Sequence, residues 1–187
     1  GVIMVFNTLD LQVLVRAQGE LLWGWLPKWG VFVQPLAFIL FLTAATAETK
    51  RTPFDLPEGE SEIIGYFVEY SGMKFGMFFM ADLVETVLVS ALMTTLFFGG
   101  WQVPYLMPDG FHFPWGAHIA MSNFPVAILG VLSFFAKLSF FIWLLMAIRW
   151  TLPRFRYDQL MRLGWKILLP ASLVNIAVTA IVLTLLG

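Results

Sequence analysis

Six of the chain's twelve acidic residues, Glu48, Asp55, Glu58, Glu60, Glu62 and Glu69, fall within 22 positions, directly after an apolar run long enough to enter a membrane. Carboxylates beside hydrocarbon are costly unless water, partners or a proton-moving task stabilise them. Their chemistry is proton exchange. Three more charges sit deeper: Asp82 and Glu85, three residues apart and so on one helix face, and Lys137 in the middle of another apolar run. A mid-membrane Lys or Asp costs about 2.5–3.5 kcal/mol on insertion scales, so each needs an offset. A Lys–carboxylate pair holding helices together supplies one; a charge or proton relay along a hydrated path supplies another.

The acid stretch is too irregular for one membrane helix. Pro53 and Pro57 interrupt it, since proline lacks the N–H and clashes with the preceding turn. It reads as a shaped loop over residues 48–75. If Glu58 to Tyr70 is helical, Glu58, Glu62 and Glu69 come within about 40° of one another, with Ile63, Ile64, Phe67 and Tyr70 on the other side. That is an amphipathic helix for a membrane or partner surface. Glu60 falls on the apolar side, where a carboxylate holds its proton more readily because its charged form is poorly solvated. The alternative for such a charge run is a merely solvated face.

Composition fixes what positions these groups. The chain is 59% hydrophobic and 12% charged, with a mean hydropathy of +0.82, far more apolar than a soluble domain. The fold class is all-α, a polytopic transmembrane helix bundle with an acid-rich cytoplasmic loop. Runs over residues 31–47, 76–99, 124–150 and 165–186 each approach the roughly 20 residues needed to span hydrocarbon. Residues 1–15, carrying Asn7 and Asp10, read as the end of a fifth span or as an interfacial helix. Gly1 lies in an apolar run without an initiator Met, so the chain reads as a fragment of a longer protein. Gly72 and Gly76 read as packing positions at the start of the second full span.

Eight Lys and Arg residues flank one set of span ends: Lys50, Arg51, Lys74, Arg149, Arg154, Arg156, Arg162 and Lys166. Only Arg16 and Lys28 fall on the other. Short basic loops stay cytoplasmic, which puts the acid loop in the cytoplasm and the loop from Gly100 to Asn123 in the periplasm of a bacterium. No repeat at a fixed period points to an inverted-repeat transporter. The eight Trp residues suit an interfacial belt. A net charge of −1 gives no footing for nucleic acid. With no cysteine, no disulfide or cysteine-ligated iron–sulfur cluster lies in these residues. His112, His118 and Asp109 fall short of a ligand set, so no metal site is expected.

The run from Ala47 to Glu62, AETKRTPFDLPEGESE, followed by Glu69 to Phe75, EYSGMKF, and Phe78 to Ala81, FFMA, resembles the signature of the respiratory complex I membrane subunit that abuts the quinone site. That family is the H-type subunit, also called subunit 1, of NADH–quinone oxidoreductase. The likeness runs over about 35 positions, and the hydropathy of the rest is similar to the C-terminal half of that family. Lys50 stands where many members have Asn, adding a charge beside Arg51. Pro57 and the Ser71–Lys74 run look bacterial. Membrane subunits of formate hydrogenlyase and other membrane-bound hydrogenases share the fold, but the acid-rich loop favours the quinone-reducing branch.

The resemblance implies a multi-pass subunit of the bacterial inner membrane. It would shape, with peripheral iron–sulfur subunits, a chamber for quinone, either ubiquinone or menaquinone, and contact antiporter-like membrane subunits. NADH, FMN and iron–sulfur clusters would belong to partners. Glu48, Asp55, Glu58, Glu60, Glu62 and Glu69 would form a charged funnel from chamber to membrane. Lys50, Arg51, Phe54 and Phe67 would line the chamber, and Asp82, Glu85 and Lys137 would continue the relay. The competing function class is a standalone ion or solute transporter whose acids bind cations. Single cysteines introduced near Asp55 and Asp109 are expected to react with an impermeant thiol reagent from opposite faces of the membrane; labelling of both from one face would overturn the orientation.

Overall fold

A computed structural model describes residues 1–22, 25–49, 53–54, 70–107, 110–112 and 118–186. Among the described residues, three apolar helices are long enough to cross a membrane: α5 (Met73–Phe97), α6 (Asn123–Thr151), and a composite running over Tyr157–Leu185. The composite comprises α7 (Tyr157–Leu163), one π-helical segment (Gly164–Leu168) and α8 (Leu169–Leu186). Pro170 explains the π segment. It cannot donate to the Lys166 carbonyl and would clash with it, and the widened turn bonds Leu169 N–H to Gly164 O instead. Pro153 ends α6 similarly, by disfavouring helical geometry at Leu152, which is extended at φ −92°, ψ 133°.

The remaining helices are short and broken. The region read as residues 1–15 of one span is two helices, α1 (Val2–Phe6) and α2 (Leu11–Gln18). Asn7 adopts left-handed φ 49° after α1, and Asp10 caps α2 by accepting the Gln12 N–H at 2.8 Å. The polar pair noticed in the sequence is therefore a helix break. The run at 31–47 is also divided, into α3 (Gly30–Val33) and α4 (Pro35–Glu48). Pro35 forces the preceding Gln34 out of the helix, to φ −139°, ψ 67°.

Short antiparallel strands complete the chain. The pair β1 (Leu21–Leu22) and β2 (Leu26–Pro27) precedes α3, and β3 (Leu106–Met107), β4 (Gly110–His112) and β5 (His118–Ala120) form a three-stranded sheet between α5 and α6. The sequence reading had only a loop there. Strand pairing satisfies backbone groups near the membrane surface that a plain loop would leave open. It also sets His112 opposite His118 in register.

Two apolar clusters share one seam. Ala45, Val89, Met93, Phe141 and Leu145 join α4, α5 and α6; Val2, Leu14 and Phe97 join α1, α2 and α5. Phe38 belongs to both, with ring centroids 5.3 Å from Phe97, 5.7 Å from Phe98 and 6.2 Å from Phe141. The buried face of α5 is partly polar: Thr86, Ser90 and Thr94 lie inside, while Met77, Val84 and Leu88 point outward. Small hydroxyl residues let helices approach closely in lipid, where apolar side chains gain nothing from turning inward.

One side chain holds the broken elements together. Gln18 is fully buried. Its Nε2 donates to the Thr95 and Leu96 carbonyls, both at 3.1 Å, and its Oε1 accepts the N–H of Gly30 at 3.2 Å and of Gly99 at 2.8 Å. All four bonds of the amide are used, and they tie α2, the start of α3 and the end of α5. Gly30 is required by the close approach, because a Cβ there would collide with the Leu96 carbonyl and crowd Phe97 Cα. Replacing Gln18 with Leu leaves two carbonyls and two N–H groups without partners. At ~1–3 kcal/mol for a buried unsatisfied group, and with partial relaxation, we expect a loss of about 2–5 kcal/mol, read as a lower melting temperature of the detergent-solubilised protein; an unchanged melt would show that the hub carries no stability.

Candidate functional site

The acid loop leaves α4 at a polar helix end. Thr46 donates to the Leu42 carbonyl at 3.0 Å and Thr49 to that of Thr46 at 3.2 Å, so both hydroxyls fold back on the helix and are buried. Glu48 lies between them in sequence and faces outward. The helix macrodipole disfavours an anion at this C-terminal end, which makes Glu48 a poor choice for helix stability.

Five residues on, the chain is pinned. The Phe155 N–H donates to the Pro53 carbonyl at 3.0 Å, and the Phe54 and Phe155 rings lie 5.6 Å apart with Phe54 buried. Phe155 sits in the turn between α6 and α7, among Arg149, Arg154, Arg156 and Arg162. The loop thus starts against the most basic part of the chain. It rejoins the described structure at Tyr70, whose ring is 5.3 Å from that of Phe78. Of the residues expected in the funnel and chamber, Glu48 and Phe54 are placed as above. Asp55, Glu58, Glu60, Glu62 and Glu69, with Lys50, Arg51 and Phe67, lie outside the described residues.

Along α5, Asp82 and Glu85 are half-buried at one end of the hydroxyl stripe. Thr86 donates to the Asp82 carbonyl at 2.9 Å, Ser90 to Thr86 and Thr94 to Ser90 at 2.8 Å each. The stripe steps four residues at a time towards the turn that closes α5. Lys137 meets α5 at that turn: Nζ donates to the carbonyls of Phe98 at 2.8 Å, Gly100 at 3.0 Å and Gln102 at 2.6 Å, and the Trp29 ring lies 4.7 Å away. An ammonium has three donors, and all three are taken by backbone. The carboxylate partner that the sequence suggested for Lys137 is replaced by carbonyls. Glu85 lies twelve residues before Phe97, about 18 Å of helix rise from this turn, so the structure separates Lys137 from Asp82 and Glu85.

A third polar point sits at the α3–α4 break. The Gln34 side chain donates to Thr179 Oγ1 at 2.7 Å and accepts from Asn175 Nδ2 at 3.4 Å, joining the break to α8. A cavity of about 400 Å³ opens beside it, lined by Val5, Lys28, Pro35, Asn175 and Val182 among others.

A profile of the NADH dehydrogenase family matches residues 1–180. The chain belongs to that family. Among its relatives is the H-type subunit of NADH-quinone oxidoreductase from Bdellovibrio bacteriovorus, 44% identical over 198 residues, covering 98% of this chain and 51% of the relative. An H-type subunit of the same enzyme in Cytophaga hutchinsonii is 43% identical over 96% of this chain and 48% of its own length. Another, from Geobacter metallireducens, is 46% identical over 99% and 46%. The chain spans about half the length of these relatives.

Within this family member, sequence reasoning singled out the charged groups and missed the two amides. Gln34 carries a signal in the sequence as an uncharged polar residue directly before a proline in an apolar run, whereas Gln18, in a helix that also holds Gln12 and Arg16, carries none. If Gln34 seals the α3–α4 break, Gln34→Ala should cost about 1–3 kcal/mol while Gln34→Glu recovers little, because the carboxylate cannot donate to Thr179. Thermal unfolding of the three forms would check this, and equal stability of the Ala form would remove the sealing role.

Proposed function

We propose that this chain is the membrane part of the quinone site of an NADH–quinone oxidoreductase, and that its acid loop couples quinone reduction to proton movement. The observation that carries the reading is the coincidence of two facts. Relatives named as H-type subunits of that enzyme align over nearly the whole chain, and half of its carboxylates are gathered at one membrane boundary. Reduction of a quinone to the quinol consumes two electrons and two protons. The electrons come from iron–sulfur clusters on peripheral partner subunits, fed from NADH through FMN; the protons must be supplied locally.

Glu48, Asp55, Glu58, Glu60, Glu62 and Glu69 are the groups of this chain suited to that supply, as carboxylates that bind and release protons. Lys50, Arg51, Phe54 and Phe67 line the chamber in this reading, the cations beside the electron-rich quinone oxygens and the rings along the tail. Burial of Phe54 against Phe155 gives the loop a fixed starting point for such a wall. Asp82 and Glu85 take the proton route into the membrane, towards antiporter-like subunits, within the inner membrane of a bacterium.

Glu60→Gln and Glu62→Gln keep size and most hydrogen bonds but cannot ionise. In assembled complex we expect each to lower quinone reduction and proton pumping about tenfold, less than the 10²–10⁴-fold of a solitary general acid because neighbouring carboxylates share the task. Electron transfer from NADH to an artificial acceptor should stay unchanged. Glu48→Gln should behave likewise. Wild-type quinone reduction and pumping in all three variants would reduce the acids to a solvated face, and failure of flavin and iron–sulfur subunits to copurify in mild detergent would sink the assignment itself.

A further inference from the structure

The turn that closes α5 is built to gather negative charge. Gly99 and Gly100 both have positive φ, 68° and 53°, a backbone course that L side chains rarely adopt, and it brings the carbonyls of Phe98, Gly100 and Gln102 to a single point. Side chains could not be added there for a second reason: a Cβ on Gly99 would crowd the Trp29 indole at 2.9 Å, and one on Gly100 would crowd Val15 at 2.9 Å.

The cup is shaped by bonds that do not involve Lys137. In the Phe98–Gly99 peptide the N–H donates to Gln18 Oε1 at 2.8 Å, which leaves the carbonyl pointing the opposite way. Gly100 N–H donates to the Thr94 carbonyl at 2.9 Å and Gln102 N–H to that of Gly99 at 2.8 Å. The Phe98 oxygen is thus fixed without Lys137, and the bonds at Gly100 and Gln102 hold the course of the turn that carries the other two. Converging carbonyl dipoles repel unless a cation lies among them, the same arrangement by which carbonyl rings replace the hydration shell of a monovalent ion. The end of α5 adds the negative pole of its macrodipole, and Trp29 adds the face of its ring.

The geometry points to residues 98–102 as a cation-binding cup that the chain fills with its own Lys137 ammonium, with a primary ammonium or a potassium-sized monovalent ion as the ligand class. Lys137 is then a positioning residue: it fixes the end of α5 to the middle of α6, with every N–H donor spent on backbone. This assignment stands independently of the proposed quinone chemistry.

The test uses the full-length subunit, purified in detergent, with Lys137→Ala, Lys137→Met and Lys137→Arg. The Ala and Met forms should melt lower by about 5 °C or more, because each leaves the converging carbonyls without a cation. Ethylammonium chloride or potassium chloride should recover at least half of that loss in the Ala form relative to choline chloride at equal ionic strength, since choline has no N–H and is too large. The Met form should not respond, its side chain filling the space. Lys137→Arg, which keeps the charge and donors, should melt within a few degrees of wild type and covers the case in which the other two fail to accumulate. A Met form as stable as wild type, an Ala form indifferent to the small cations, or an Arg form as unstable as the Met form would each overturn the cup. In assembled complex, an Arg form of normal melting temperature that had lost turnover would overturn the positioning role in favour of proton carriage by Lys137.

Discussion

Hydrocarbon offers no hydrogen bonds, so a helix that breaks inside or beside it must find partners for the freed backbone within the protein. That constraint organises this chain. It has breaks at Asn7, at Gln34 and at the Phe98–Gln102 turn, and each is closed by a specific polar device: an Asp10 cap, a Gln34–Thr179–Asn175 cluster, and the combination of Gln18 with Lys137. The last is the centre of the set. The Phe98–Gly99 peptide is gripped from one side by an amide and from the other by an ammonium, and the helices α2, α3, α5 and α6 meet around it.

The same constraint accounts for the polar side chains in the interior. The lipid-facing sides of α5, α6 and α8 carry exposed Met, Val, Leu and Ile, which suit hydrocarbon, whereas the buried positions include Gln18, Gln34, Thr86, Ser90, Thr94 and Thr179. Burial in water would favour the reverse. In a bilayer the apolar side chains have no reason to turn inward, and close packing of small hydroxyl residues with internally bonded amides supplies the cohesion. The aromatic seam through Phe38, Phe97, Phe98 and Phe141 fills the volume left around these polar contacts, with Phe98–Phe141 centroids 5.0 Å apart.

The long helices were legible from hydropathy alone: the runs read at residues 76–99 and 124–150 lie over α5 and α6, because an uninterrupted apolar stretch of that length has one stable backbone state in lipid. The breaks were half legible. Asn7, Asp10 and Pro35 announce themselves by type, yet the partners that make a break tolerable come from residues up to 145 positions away, as in Gln34 to Thr179, and one-dimensional periodicity carries no trace of them. Lys137 was legible as a costly charge, and its partner was not. Carboxylates are the obvious counter-charge in a sequence, whereas backbone carbonyls become one only when a Gly-Gly turn folds them together. Within the acid loop, the residue types carry the family likeness.

The two kinds of charge in this protein therefore do different work. Lys137 donates all three of its N–H groups to the carbonyls of Phe98, Gly100 and Gln102, with the Trp29 ring beside it. Glu48 sits exposed at the C-terminal end of α4, where the helix dipole disfavours an anion, a few residues before the anchor at Pro53 and Phe54. The bundle thus keeps its saturated cation apart from the half-buried carboxylates of α5. The roughly 18 Å of α5 between Glu85 and the Lys137 turn provides that separation, and the hydroxyl stripe spans it without placing an ionisable group between them.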